Sequence, residues 1–113
     1  MLPIGPAQKV SIYIAEGSRH GHTDAASAIL DYLFQHGVSG ATALKGVAGF
    51  GADHHMHSTS ILSISDHLPI KVEFIESEEK VQELLSELSV MCGTGMIEVQ
   101  PTTIVKAAGI AAS

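Results

Sequence analysis

Cysteine is nearly absent from this chain: Cys92 is the only one, which excludes an internal disulfide and fits a reducing compartment. Basic charge is scarce as well. Six Lys and Arg stand against twelve Asp and Glu, for a formal net charge of −6, and with no basic run the footprint of a nucleic-acid-binding protein is missing. No stretch approaches the roughly 18 apolar residues of a membrane span. Met1-Leu2-Pro3-Ile4-Gly5-Pro6 has neither a basic n-region nor an apolar h-region, so the expected location is the cytoplasm. Catalytic signatures are lacking too. There is no Gly-Lys-Ser or Gly-Lys-Thr of a P-loop, no His-Glu-x-x-His, no nucleophile elbow and no carboxylate pair with an assignable substrate. A non-enzyme is expected.

What is present suits one small domain over residues 1–113, with a core of about 9–105 and tails at 1–8 and 106–113. Hydrophobic residues make up 45% of the chain and charged residues only 16%, so part of the surface is expected to meet another subunit. Val10, Ile12 and Ile14 alternate with Ser11 and Tyr13, the period of a strand with one buried face. A polar turn over 17–22 leads to Thr23 or Asp24 as cap of a helix carrying Ala26, Ile29, Leu30, Leu33 and Phe34, which Gly37 stops. Ala41 to Val47 reads as a second strand. Residues 51–60 fit neither period and read as a long connection, with Ile61, Leu62 and Ile64 extending toward the next strand. That strand is clear from Pro69 to Ile75. Ser77 caps a second helix with the stripe Val81, Leu84, Leu85, Leu88, Met91 and Cys92, ended by Gly93 and Gly95. Ile97 and Val99 begin a last strand, which Thr102 to Val105 extend.

Strand, helix, strand, strand, helix, strand makes two split βαβ units: an α+β, ferredoxin-like βαββαβ fold, with a four-stranded antiparallel sheet and two helices on one face. The other face, carrying Tyr13, Lys71, Glu73 and Ile75, has no remaining element to cover it. Packing against further copies would do so.

Three segments carry a resemblance: Ser39-Gly40-Ala41-Thr42, Gly46-Val47-Ala48-Gly49-Phe50-Gly51, and Leu68-Pro69-Ile70 preceded by Ser63-Ile64-Ser65-Asp66. Over about Val10 to Val105 the chain resembles the PII-like small proteins grouped as domain of unknown function 190, relatives of the nitrogen-regulatory PII signalling proteins. The resemblance implies a homotrimer whose intersubunit clefts can bind adenine nucleotides, with a mobile loop after the second strand that reports occupancy to a partner; the protein target is left open, a membrane transporter or a cytoplasmic enzyme being examples. It matches Gly49, Phe50 and Gly51 to the turn opening that loop, and Gly93, Thr94 and Gly95 to the turn before the last strand. Glycines at such turns let backbone N–H groups approach a phosphate closely. Met96 stands where PII proteins place a lysine, and Lys106 is the only basic residue beyond the last strand. AMP or ADP, or a similar small anion, is therefore favoured over a triphosphate.

Arg19, Lys45 and Lys71 remain as cations, and Lys45, Glu16, His20 and Gly21 join the candidate nucleotide site. Gly-rich segments also serve simply as turns, and that reading stands beside the functional one. Seven histidines are present, and His54, His55 and His57 share one loop with Asp53. A divalent metal is chemically conceivable there, as in the copper-tolerance proteins that share the trimeric plan, although exposed loop histidines without fixed partners are common. Cys92, on an apolar stripe, reads as an inert buried thiol.

Overall fold

The structure is a computed structural model and describes residues 2–51, 56–58 and 68–109. In chain order its elements are β1 (Gly5–Ala15), β2 (Arg19–His20), β3 (Thr23–Asp24), α1 (Ala25–Gln35), β4 (Ala41–Lys45), β5 (Ala48–Gly49), β6 (His57–Ser58), β7 (Pro69–Glu76), α2 (Glu78–Met91) and β8 (Met96–Ile104). Four long strands form one antiparallel sheet in the order β4-β7-β1-β8. The short ones make two-residue ladders: β2 with β3, and β5 with β6.

Alternation along β1 and β7 sends Val10, Ile12, Ile14, Val72 and Phe74 to one face, where they meet Ile29 and Leu33 of α1 and Val81, Leu84 and Leu88 of α2 in a single buried cluster. Burial of each such side chain contributes about 1.5–3 kcal/mol, the main force holding helices to sheet. The helix ends are set by their own sequence. The carboxylate of Asp24 accepts the Ser27 N–H at 3.1 Å and the Ser77 hydroxyl accepts the Lys80 N–H at 3.2 Å, each cap being worth about 1 kcal/mol. At the end of α1, Gly37 takes φ +75°, its N–H donates to Phe34 O, and the Val38 N–H donates to Leu33 O. This paired closure needs a left-handed residue, which glycine supplies without strain.

The four long strands and two helices follow the expected order, with a short β6 inside the segment read as a connection and three further differences. β1 starts at Gly5 instead of Val10, because β8 runs on through Pro101 to Ile104 and pairs with it, Gly5 opposite Ile104. Pro101 is tolerated because β8 is an edge strand. β4 stops at Lys45, not Val47, since the Gly46 N–H donates to Pro69 O and the chain then enters the β5 ladder. The polar turn before α1 is a tight hairpin with Gly21 at φ +64°. The proposed strand extension at Ile61, Leu62 and Ile64 lies outside the described residues.

Candidate functional site

One end of the sheet collects the candidate residues, because β1 finishes there at Ala15, β4 finishes at Lys45, β7 begins at Pro69 and β8 begins at Met96. At the β4 edge two glycines straddle one proline ring. A β-carbon on Gly46 would lie 2.7 Å from Pro69 Cγ and one on Gly49 would lie 3.1 Å from the same atom, while the Gly46 N–H donates to Pro69 O at 2.7 Å. Beside them the Lys45 ammonium and a Glu16 carboxylate oxygen are 2.5 Å apart. The backbone N–H of Glu16 donates to Leu68 O at 2.8 Å, so the ion pair joins the start and the finish of the connection from β4 to β7.

Gly49 pairs with His57 across the β5–β6 ladder. Phe50 follows, 61% exposed as a residue. Gly51 differs from Gly46 and Gly49: nothing among the described residues lies within 4 Å of a β-carbon placed there, and its φ is not left-handed. Packing within the described chain therefore does not demand a glycine at 51. At the β8 edge, Gly93 sits at φ +58° in the exit from α2, Thr94 is exposed, and the Gly95 N–H donates to Cys92 O at 2.9 Å. Here the packing demand is severe, since a β-carbon on Gly95 would fall 2.3 Å from Tyr13 O and 2.9 Å from Ile14 Cγ2.

The two glycine turns share one end of the sheet but sit on opposite edges. With β7 and β1 between β4 and β8, three interstrand steps separate them by roughly 14 Å. Within one protomer they do not close into a single pocket. A groove of 830 Å³ lies elsewhere, lined by Gly37, the start of β4 and the Lys106–Gly109 segment.

The hairpin that carries His20 and Gly21 leaves this same end of the sheet, after Glu16. Gly21 makes the hairpin turn, and His20 lines a 510 Å³ groove along α1 with Ser27, Asp31, Tyr32 and His36. Arg19 donates to His22 O. The start of α1 is not an open anion site, because Asp24 already accepts both the Ser27 N–H and, at 3.2 Å, the Ser27 hydroxyl. Of the candidate metal ligands, His54 and His55 lie outside the described residues, and His57 is described only through its backbone pairing. Among the described residues no group of three His, Cys, Asp or Glu is placed to hold a metal ion, and no helix is long and apolar enough to cross a membrane.

The sheet face opposite the helices, which no element among the described residues covers, carries bonds that local spacing does not reveal. Tyr13 Oη donates to Glu98 Oε1 at 2.8 Å, Lys71 pairs with Glu73 at 3.2 Å and Lys9 with the same carboxylate at 3.7 Å. The Lys71 ammonium stands 5.8 Å from the Tyr13 ring centroid, within reach of a cation–π attraction. The bond to Glu98 holds the Tyr13 phenol above its ordinary pKa, and the bond to Glu73 raises that of Lys71. Exposed Leu44 and Met96 share this face.

Known proteins match this architecture. The family model DUF190, described as uncharacterized ACR, matches residues 7–104. A UPF0166 protein of Methanocaldococcus jannaschii is 30% identical over 92 residues, which is 80% of this chain and 84% of that protein. A UPF0166 protein of Aquifex aeolicus is 40% identical over 58 residues, or 51% of this chain and 60% of that protein, so less than two thirds of that relative is spanned. Among solved structures, CPII from Thiomonas intermedia K12, a nitrogen regulatory PII-like protein bound to ADP, AMP and bicarbonate, superposes with TM-score 0.67 at 20% identity over 94% of each chain. CPII bound to ADP and bicarbonate gives 0.63, also at 20% identity, over 94% of this chain and 95% of that one. With its order of elements, its glycine turns and these matches taken together, the chain belongs to the DUF190 (UPF0166) family and has the fold of the PII-like proteins.

Proposed function

We propose that this chain is a non-catalytic regulatory protein of the PII-like kind, acting as a homotrimer that binds AMP or ADP in the clefts between its copies. The observation that carries this reading is the placement of the two glycine turns on opposite edges of one sheet end. In a closed ring each copy offers one edge to the next. Gly49 to Gly51 of one copy can then stand against Gly93 to Gly95 of its neighbour, a composite cleft lined by backbone N–H groups. Such a ring also covers the uncovered sheet face, where Leu44 and Met96 are exposed.

Support for an adenine nucleotide comes from CPII, whose structures hold ADP and AMP. The preference for few ligand charges follows from this chain's own residues, because Lys45 already has a carboxylate partner and Met96 supplies no cation. Occupancy would be reported through residues 51–60, which follow directly from the Gly49 to Gly51 turn, to a protein target such as a membrane transporter or a cytoplasmic enzyme.

Calorimetric titration with AMP, ADP and ATP, run beside sedimentation to fix the assembly, tests the proposal. Binding of AMP or ADP by a three-copy particle is expected. A particle that stays a single copy, or silence toward all three nucleotides up to millimolar concentration, removes this reading.

A further inference from the structure

Glu16 is placed unusually for a residue beside an anion site. Its carboxylate lies 2.5 Å from the Lys45 ammonium, with the two side chains 29% and 55% exposed, so the pair is at the surface and the lysine is the more open partner. The main chain of Glu16 is held in place, because its backbone N–H is bonded to Leu68 O. Lys45 is equally constrained at the backbone, since it ends β4 opposite Ile70 and the next N–H, that of Gly46, donates to Pro69 O. A negative charge on an anchored stretch of backbone therefore stands against the cation closest in sequence to the Gly46 to Gly51 turn.

We propose that Glu16 is a charge-selectivity residue of the cleft: it holds Lys45 in an ion pair that an anionic ligand must share or displace, and it repels each further negative charge that the ligand carries. The proposal rests on the nucleotide reading above and adds a discriminator to it. Attraction to Lys45 is offset by Glu16 for any anion, so the first phosphate gains little net charge stabilisation, and added phosphates meet the carboxylate. A unit charge held about 8 Å away through water changes affinity roughly twofold, and more where water is thinned out. The affinity series should therefore fall from AMP to ATP, by roughly two- to tenfold per added charge.

The test is titration of AMP, ADP and ATP into the wild-type protein, Glu16→Gln and Lys45→Gln, at low and at raised salt. Glu16→Gln is expected to tighten ATP more than AMP, flattening or reversing the series, with the difference shrinking as salt screens it; Lys45→Gln is expected to weaken all three. An equal change for AMP and ATP in Glu16→Gln would mean a merely structural role and overturns the proposal, as does no change at all. Glu16→Ala is the second variant, read in the same way if the first fails to fold. If the wild-type protein binds nucleotide but the series is unaltered in the variants, only the selectivity role falls. If neither wild type nor variants bind any nucleotide, the nucleotide reading itself fails and takes this role with it.

Discussion

The α-carbon of Gly95 faces the carbonyl of Tyr13 so closely that a β-carbon there would stand 2.3 Å from the oxygen. Glycine at 95 is thus required for β8 to begin pairing beside β1, whatever the turn binds. Gly95→Ala is expected to destabilise the fold by about 1–3 kcal/mol in urea unfolding, through forced backbone movement.

Gly51 is the contrasting position, with open space about its α-carbon among the described residues. Gly51→Ala is expected to leave unfolding within about 0.5 kcal/mol of wild type while weakening AMP and ADP binding in calorimetry. Equal affinity in that variant would detach Gly51 from the nucleotide site.

Glu76 is only 7% exposed and its carboxylate accepts the Ser39 N–H at 2.8 Å and, more weakly, the Ser77 N–H at 3.4 Å. It ties the connection before β4 to the cap of α2. Glu76→Ala leaves the Ser39 donor without its carboxylate partner, and is expected to cost about 1–3 kcal/mol in equilibrium unfolding.

The bond from Tyr13 to Glu98 has an alkaline signature. Its hydrogen bond raises the folded pKa of Tyr13 above the ordinary 10.0, and Lys71 is raised above 10.5 chiefly by Glu73. A raised folded value means that the stabilisation is complete below the unfolded pKa and lost as pH climbs through the folded one. Melting temperature should fall through that alkaline window, with a shallower fall in Tyr13→Phe. Glu98→Gln should bring phenolate absorbance to lower pH.

Cys92 is 7% exposed, its thiol pKa is pushed above 9.0 by burial, and its Sγ donates to Ser89 O at 3.5 Å. Reaction of the native protein with a thiol reagent should be at least about tenfold slower than that of the unfolded chain. Equal rates would mean that the end of α2 opens readily.

Much of this was legible along the chain, because periodicity and capping are local properties. The alternation of Val10, Ile12 and Ile14 declares a half-buried strand, Asp24 and Ser77 declare helix starts, and Gly37 and Gly93 declare helix ends. Each depends on residues within one turn or one strand. The glycine turns were equally visible as segments. Their reasons were not: Gly46 and Gly49 answer to Pro69, and Gly95 answers to Tyr13, contacts that local spacing does not reveal.

The sequence by itself determined the order of four long strands and two helices, and which face of β1, β7 and both helices would be apolar, since every residue carries its own propensity and polarity. Only the tertiary structure decided that Glu16 would meet Lys45, that His20 would lie along α1, and that the two glycine turns would take opposite edges. Those outcomes depend on strand order and register. Pairing between distant segments sets both, and no residue encodes that pairing alone.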